Sequence, residues 1–226
     1  MALGLLIGLA AGWLNGRPGR VLNNFISAAV SAPVLIVALA VIAAVGIDLG
    51  VVAFILGLAA TGWAETARLV SERTRSIRRM PYIEAARSLG QSDIGLVLYH
   101  VMRQIAPMVW MLFAFEISST LLTSASLGFL GYYIGGEVWI PVTDTSSIRT
   151  SGMPELGLMV ATLSTDIFAG PYKMAAAGTL IFLTILGFNL LGEGLRLRLE
   201  QGSPRSSRWA LWNEQAGLWL DHNLWH

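Results

Sequence analysis

The sequence predicts an all-α fold, a polytopic transmembrane helical bundle, on three observations. Hydrophobic residues fill 54% of the 226 positions and charged residues only 13%, with a mean hydropathy of +0.62. That balance excludes an ordinary soluble domain. Four apolar runs approach the roughly 20 residues needed to cross a hydrocarbon core of about 30 Å. The charges lie in blocks between those runs, so the formal net charge of +1 conceals a strong asymmetry along the chain.

The four runs are residues 25–47, 49–67, 105–131 and 172–195, each bounded by Gly, Pro, Asn or charge. Residues 1–14 are apolar but short, and they lack the basic leader of a secretory signal peptide. If they cross, the bundle has about five spans with its N-terminus outside; if not, it has four. Basic loops stay cytoplasmic. Thirteen of the fifteen Lys and Arg residues fall after the first segment, in the central loop from Arg68 to Arg103, or after the last span. Only Arg149 and Lys173 lie in the region 132–171, which is therefore expected to face outward.

The central loop holds the most distinctive stretch, Tyr82-Ile83-Glu84-Ala85-Ala86-Arg87-Ser88-Leu89-Gly90. Pro81 lacks an N–H and has a pre-set φ, which suits the first turn of a helix. Glu84 then lies near the positive end of the helix dipole. Ala85 and Ala86 keep one surface low, and Gly90 can take the positive φ that ends a helix. Ser92 or Asp93 can cap the next segment. Ile94, Val97, Leu98 and Val101 recur there at helical spacing and return the chain to the membrane. By itself this pattern describes an interfacial connector with ordinary caps.

Several chemistries lack their residues. With no cysteine, thiolate catalysis, disulfides and Cys-ligated metal centres are absent, and His100, His222 and His226 are too scattered for a metal cage. A phosphate-binding loop needs glycines ahead of a Lys-Ser/Thr pair, whereas the single lysine, Lys173, sits in Gly-Pro-Tyr-Lys-Met. No nucleophile motif, aspartyl pair or HExxH site supports an intramembrane enzyme, so no catalytic residue is expected. An ion-coupled secondary transporter using Glu65 or Glu116 is the competing class, but the paired broken helices of many such folds are not visible.

Acids within spans are costly and default to functional candidates. Glu65 has Arg68 three residues on, so a local ion pair is its plain explanation. Glu116 has no basic neighbour one turn away, and Ser118, Ser119, Thr120 and Thr123 surround it with hydroxyls. It is expected to face a cavity or partner helix, where it would meet an amine or other cationic group. Gly57, Ala60, Gly62, Gly178 and Gly187 permit close helix approach. After Gly202-Ser203-Pro204 the composition changes, dividing the chain into a membrane domain, 1–200, and a Trp-rich tail, 201–226. Trp209, Trp212, Ala216, Trp219 and Leu220 share one helical face suited to a membrane surface; an extension without fixed structure is the alternative.

The run EAARSLGQSD, continued through His100 and Pro107, resembles the cytoplasmic EAA loop of permease subunits from bacterial ATP-binding-cassette (ABC) importers, in the dipeptide, oligopeptide and nickel branch. Glu84, Ala85, Ala86 and Gly90 fall at the family spacing, while Arg103 stands where that branch usually has the first of two prolines. SLGFLG at 126–131, PELGLM at 154–159, FNLLGEGLR at 188–196 and Pro33 in SAPVLIVALA extend the likeness from about residue 3 to residue 200. The family more often has Asp at the position of Glu193.

The resemblance implies a type I importer permease, multi-pass in the bacterial inner membrane, with peptides as the expected cargo. It implies a further span ahead of Met1, the family's second span aligning with LGLLIGLAAGW, and a truncated start. Glu84, Ala85, Ala86, Arg87, Leu89 and Gly90 would dock on an ATPase, and Glu116, Ser119 and Thr123 would line the translocation path. The implied partners are a second homologous permease, two ABC ATPases, an extracytoplasmic solute-binding protein and membrane lipid, with no nucleic acid. The chain would carry no cofactor, ATP and Mg belonging to the ATPases. Residues 154–165 would form a re-entrant, scoop-like segment at the outer mouth, permitted where protein or a water-filled cavity surrounds it.

Overall fold

The computed structural model describes residues 1–143, 146–153, 155–161 and 171–201. The tail from residue 202 onward, and Pro154 with residues 162–165 of the scoop-like segment, lie outside the described residues. Nine helices and one hairpin are labelled below in chain order.

α1 (Ala2–Trp13) turns back at Gly16, whose φ is +72°, into α2 (Gly16–Ser31). Gly4, Gly8 and Gly12 form one face of α1 and lie against α5 (Trp63–Arg78). A Cβ on these glycines would stand 2.5, 2.6 and 2.6 Å from the carbonyl oxygens of Trp63, Ala67 and Ser71. The two backbones therefore touch, the packing available to helices that gain little from the hydrophobic effect in lipid. Asn23 of α2 fastens the pair: its Nδ2 donates to Ala11 O (2.9 Å) and Gly19 O (2.6 Å), and its Oδ1 accepts from Ser71 Oγ at 2.9 Å.

The apolar run 25–47 is not one straight span. α2 and α3 (Val34–Val45) meet at 87° across Ala32 and Pro33. Proline disfavours helical geometry in the residue before it, and Ala32 is extended with ψ at 127°. The run 49–67 is likewise divided, into α4 (Val51–Thr61) and the start of α5, with Gly62 between them still in the helical region. Gly57 brings α4 onto α3, where a Cβ would stand 2.9 Å from Ala38 O.

α6 (Pro81–Ser88) follows a short turn, and then α7 (Asp93–Phe129) runs for 37 residues. Its segment Leu96–Val101 is π-helical, and Pro107 sits inside the α-helical remainder. Proline at 107 leaves the Arg103 carbonyl without its usual helical donor. Arg103 itself keeps the N–H that a proline there would remove, so the helix continues past it.

After α7 comes a hairpin, β1 (Glu137–Thr143) with β2 (Ser146–Ser151), antiparallel and with an irregularity between Pro141 and Thr143. The helical expectation did not include it. Val138, Trp139 and Ile140 give β1 the branched and aromatic character that favours strands. α8 (Leu156–Ala161) packs back onto the C-terminal end of α7, where a Cβ on Gly128 would stand 2.7 Å from Gly157 Cα. α9 (Pro171–Gln201) returns along α7, with Gly192 against the Phe115 ring and Ser118 Oγ donating to Ile185 O at 3.3 Å.

Among the described residues, two helical segments are long and apolar enough to cross a membrane, Asp93–Phe129 and Ala175–Leu199, and the bent α2–α3 pair would make a third. α1, α3 and α4 have 12, 12 and 11 residues, or about 18 Å each, short of the hydrocarbon thickness. Gly178 and Gly187 do not bring helices together among the described residues, since a Cβ on either would meet nothing there within 4 Å.

Candidate coupling loop and polar cavity

α6 starts as the sequence requires: Pro81 occupies its first turn, Glu84 stands in that turn, and Gly90 takes φ +86° just beyond its end. One face is anchored. Ile83 is 1% exposed and joins a cluster of Val70, Ile77, Leu96, Val101, Ile105 and Leu112, with Ala86 half-buried against it. The opposite face is free, with Glu84 and Ala85 exposed and Leu89 at 89% exposure. Of the six expected docking residues, Ala86 alone turns inward.

The loop around α6 is held from several sides. Arg87 pairs with Asp93 at 3.1 Å, Tyr82 Oη donates to Gln104 Oε1 at 2.6 Å, and Gln91 Oε1 lies 3.0 Å from His100 Nε2. Ser92 caps the helix after it by accepting from Gly95 N. The Arg87 guanidinium also lies over the Trp13 ring at 5.7 Å, a cation–π contact with the end of α1. Arg78 of α5 donates to Trp13 O at 2.5 Å. Burial lowers the Arg78 pKa, and the nearby Arg79, Arg87 and Arg75 lower it further. Trp13 is thus gripped by α5 and α6 together, through partners more than 60 residues along the chain.

The far end of α1 reaches the second feature. A cavity of about 800 Å³ is lined from α1, the α2–α3 junction, α4, α5 and α7, and its wall includes Glu65, Glu116, Ser119 and Thr123. The structure therefore gathers the three expected path residues with the other intramembrane acid. Glu116 Oε2 accepts from Thr66 Oγ1 at 2.8 Å, and Oε1 lies 3.4 Å from the Met1 amine. The expected Glu65–Arg68 pair does not form: Arg68 bonds Glu72 at 3.3 Å, one full turn onward. A spacing of four residues aligns side chains on a helix better than three at this position, and Glu65 is left facing the cavity.

Residues 4–202 match the family model described as binding-protein-dependent transport system inner membrane component. The chain belongs to that family. The chain is 30% identical over 200 residues to a glutathione transport system permease protein GsiD of Pectobacterium atrosepticum, across 88% of its own length and 61% of the relative's. Proteins of the same name from Escherichia coli O1:K1 and Shigella flexneri serotype 5b are 33% identical over 168 residues, covering 74% of the chain and 50% of each relative. The chain thus spans between half and two thirds of the length of these relatives. Two further sets of residues shape the site. The spacing Gly4-x3-Gly8-x3-Gly12 was a readable signal for close helix packing. Asn23 and Thr61 had none, since their partners lie far along the chain or are missing.

Proposed function

We propose that this chain is the membrane-spanning permease subunit of an ATP-driven ABC importer, forming part of the solute path and coupling to ATPase subunits through α6. The observation that carries the reading is the free face of α6, a short helix anchored through Ile83 and presenting Glu84, Ala85 and Leu89 outward. A helix braced on one side and bare on the other can transmit a push, where a slack loop would absorb it. ATP and Mg belong to the ATPases in this reading. A second homologous permease and an extracytoplasmic solute-binding protein complete the assembly in the bacterial inner membrane. The glutathione permease name of the relatives supports a small peptide as cargo.

In the assembled complex, Ala85→Cys and Leu89→Cys should crosslink to the ATPase with a short bifunctional reagent. An active complex in which neither position ever captures an ATPase would defeat the docking role. Uptake should persist when proton and sodium gradients are collapsed and stop when ATP is withdrawn. The reverse dependence would mark a secondary transporter.

A further inference from the structure

The described residues lining the 800 Å³ cavity include two carboxylates, Glu65 and Glu116, and no lysine, arginine or histidine. Glu116 Oε2 accepts from Thr66 Oγ1 at 2.8 Å, and the second carboxylate oxygen, Oε1, stands on the Met1 side of the same cavity. Gly62 leaves room beside it: a Cβ there would stand 4.0 Å from the same oxygen.

A second observation is independent of charge. Thr61, adjacent to Gly62, lines the same wall and is only 8% exposed, yet its Oγ1 has no hydrogen-bond partner among the described residues. A buried hydroxyl without a partner is costly, and such groups mark places where a water or a polar ligand atom completes the set. An ammonium group brings three N–H donors and one charge. The cavity wall offers acceptors of both kinds, carboxyl groups in Glu116 and Glu65 and a hydroxyl in Thr61.

We propose that this cavity is a subsite for the primary ammonium of the transported solute, with Glu116 as its counter-charge and Thr61 as a neutral acceptor. The proposal deepens the permease reading and rests on it. Solutes carrying a free amine are favoured here over acylated or anionic counterparts because only the former satisfy both acceptors without burying like charges together.

The chain has no cysteine, so a single reporter reads the cavity directly. Ser119 lines it one helical turn from Glu116. With Ser119→Cys in the assembled complex, modification by aminoethyl and sulfonatoethyl methanethiosulfonate is measured in membrane vesicles. Each rate is divided by that reagent's rate with 2-mercaptoethanol. The ammonium reagent should be favoured by about tenfold, the effect of one or two partly screened charges acting oppositely on the two reagents. Glu116→Gln should cut that preference by about threefold or more, and Glu65→Gln should cut it less. Equal rates for the two reagents, or a preference that Glu116→Gln leaves untouched, would overturn the ammonium site and leave the permease reading standing. Failure of both reagents to reach the cysteine would remove the aqueous cavity, and the solute path with it. Thr123→Cys, further along the same wall, repeats the measurement where Ser119→Cys does not assemble.

Discussion

Asn23 joins three helices through one side-chain amide, donating to α1 and to its own helix and accepting from Ser71 on α5. Asn23→Ala would strand the Ser71 hydroxyl, which is 1% exposed, at a cost of about 1–3 kcal/mol. The expected readout is a lower melting temperature of the detergent-solubilised chain, with Asn23→Asp restoring less than wild-type stability because it cannot donate. Next to the hairpin, Glu155 Oε2 accepts from Ile134 N at 3.0 Å, while Oε1 is buried without a partner among the described residues. Burial raises the Glu155 pKa above its ordinary 4.5, the Ile134 N–H opposing in part. The folded loop therefore holds the proton more tightly than the unfolded one. That contribution is full below the ordinary value and is lost as pH rises through the raised one. Corrected hydrogen exchange at Ile134 should quicken over that interval and become insensitive to pH in Glu155→Gln. At this scale the sequence was legible for Glu116, whose hydroxyl-rich neighbourhood on its own helix is local information. It was not legible for Glu65, since two acids, Glu65 and Glu72, compete for Arg68 and only the packed helix decides between them.

The contact of α1 with α5 depends on missing side chains. Gly8→Leu would drive its side chain into Ala67 O and Val70, where even a Cβ would stand 2.6 and 2.8 Å away. The backbone cannot yield there as a side chain could, so a loss of about 1–3 kcal/mol is expected, read as a melting shift. Gly178→Leu, on a glycine that meets nothing among the described residues, should leave the melting of the isolated chain unchanged. The elements near prolines and glycines were the most readable. Pro81 and Gly90 bracket α6 through their own backbone limits, and these need no tertiary information. Pro33 carried the same kind of signal for the break between α2 and α3, yet a continuous apolar run masked it, because hydropathy reports burial in lipid and says nothing of direction. The π-helical turn at Leu96–Val101 lacked even that, being a register slip within a sequence whose apolar spacing fits an α-helix.

For the whole molecule, sidedness is the property with the widest consequences. The α3–α4 turn meets the segment after α7, since a Cβ on Gly50 would stand 3.1 Å from Ile134 O, while Arg78, Trp13 and α6 converge at the opposite end. Charge placement alone assigns the former end to the outside and the latter to the cytoplasm, because Lys and Arg report the topology of insertion and not the packing that follows. Single cysteines should confirm it: Ser92→Cys should label with an impermeant maleimide only from the cytoplasmic side, and Trp139→Cys only from the outside. Labelling of either from the wrong face would reverse the bundle. The hairpin was illegible as a strand pair because its short, mixed run lies in a loop whose partner strand is set by contact, not by local pattern.

Trp13 sits at one end of α1, pinned by Arg78 and Arg87, and the other end of α1 walls the cavity. Between them no side chain separates three glycines from the neighbouring backbone, so there is no rotamer whose change could take up slack. A displacement of α6 should therefore arrive at the cavity with its stroke undiminished. Trp13→Ala would cut this linkage while leaving the exposed face of α6 intact. The expected result is an assembled complex that still hydrolyses ATP but moves solute about fivefold less per ATP, or lower still. Equal uptake per ATP in that variant would mean the thrust travels by another route.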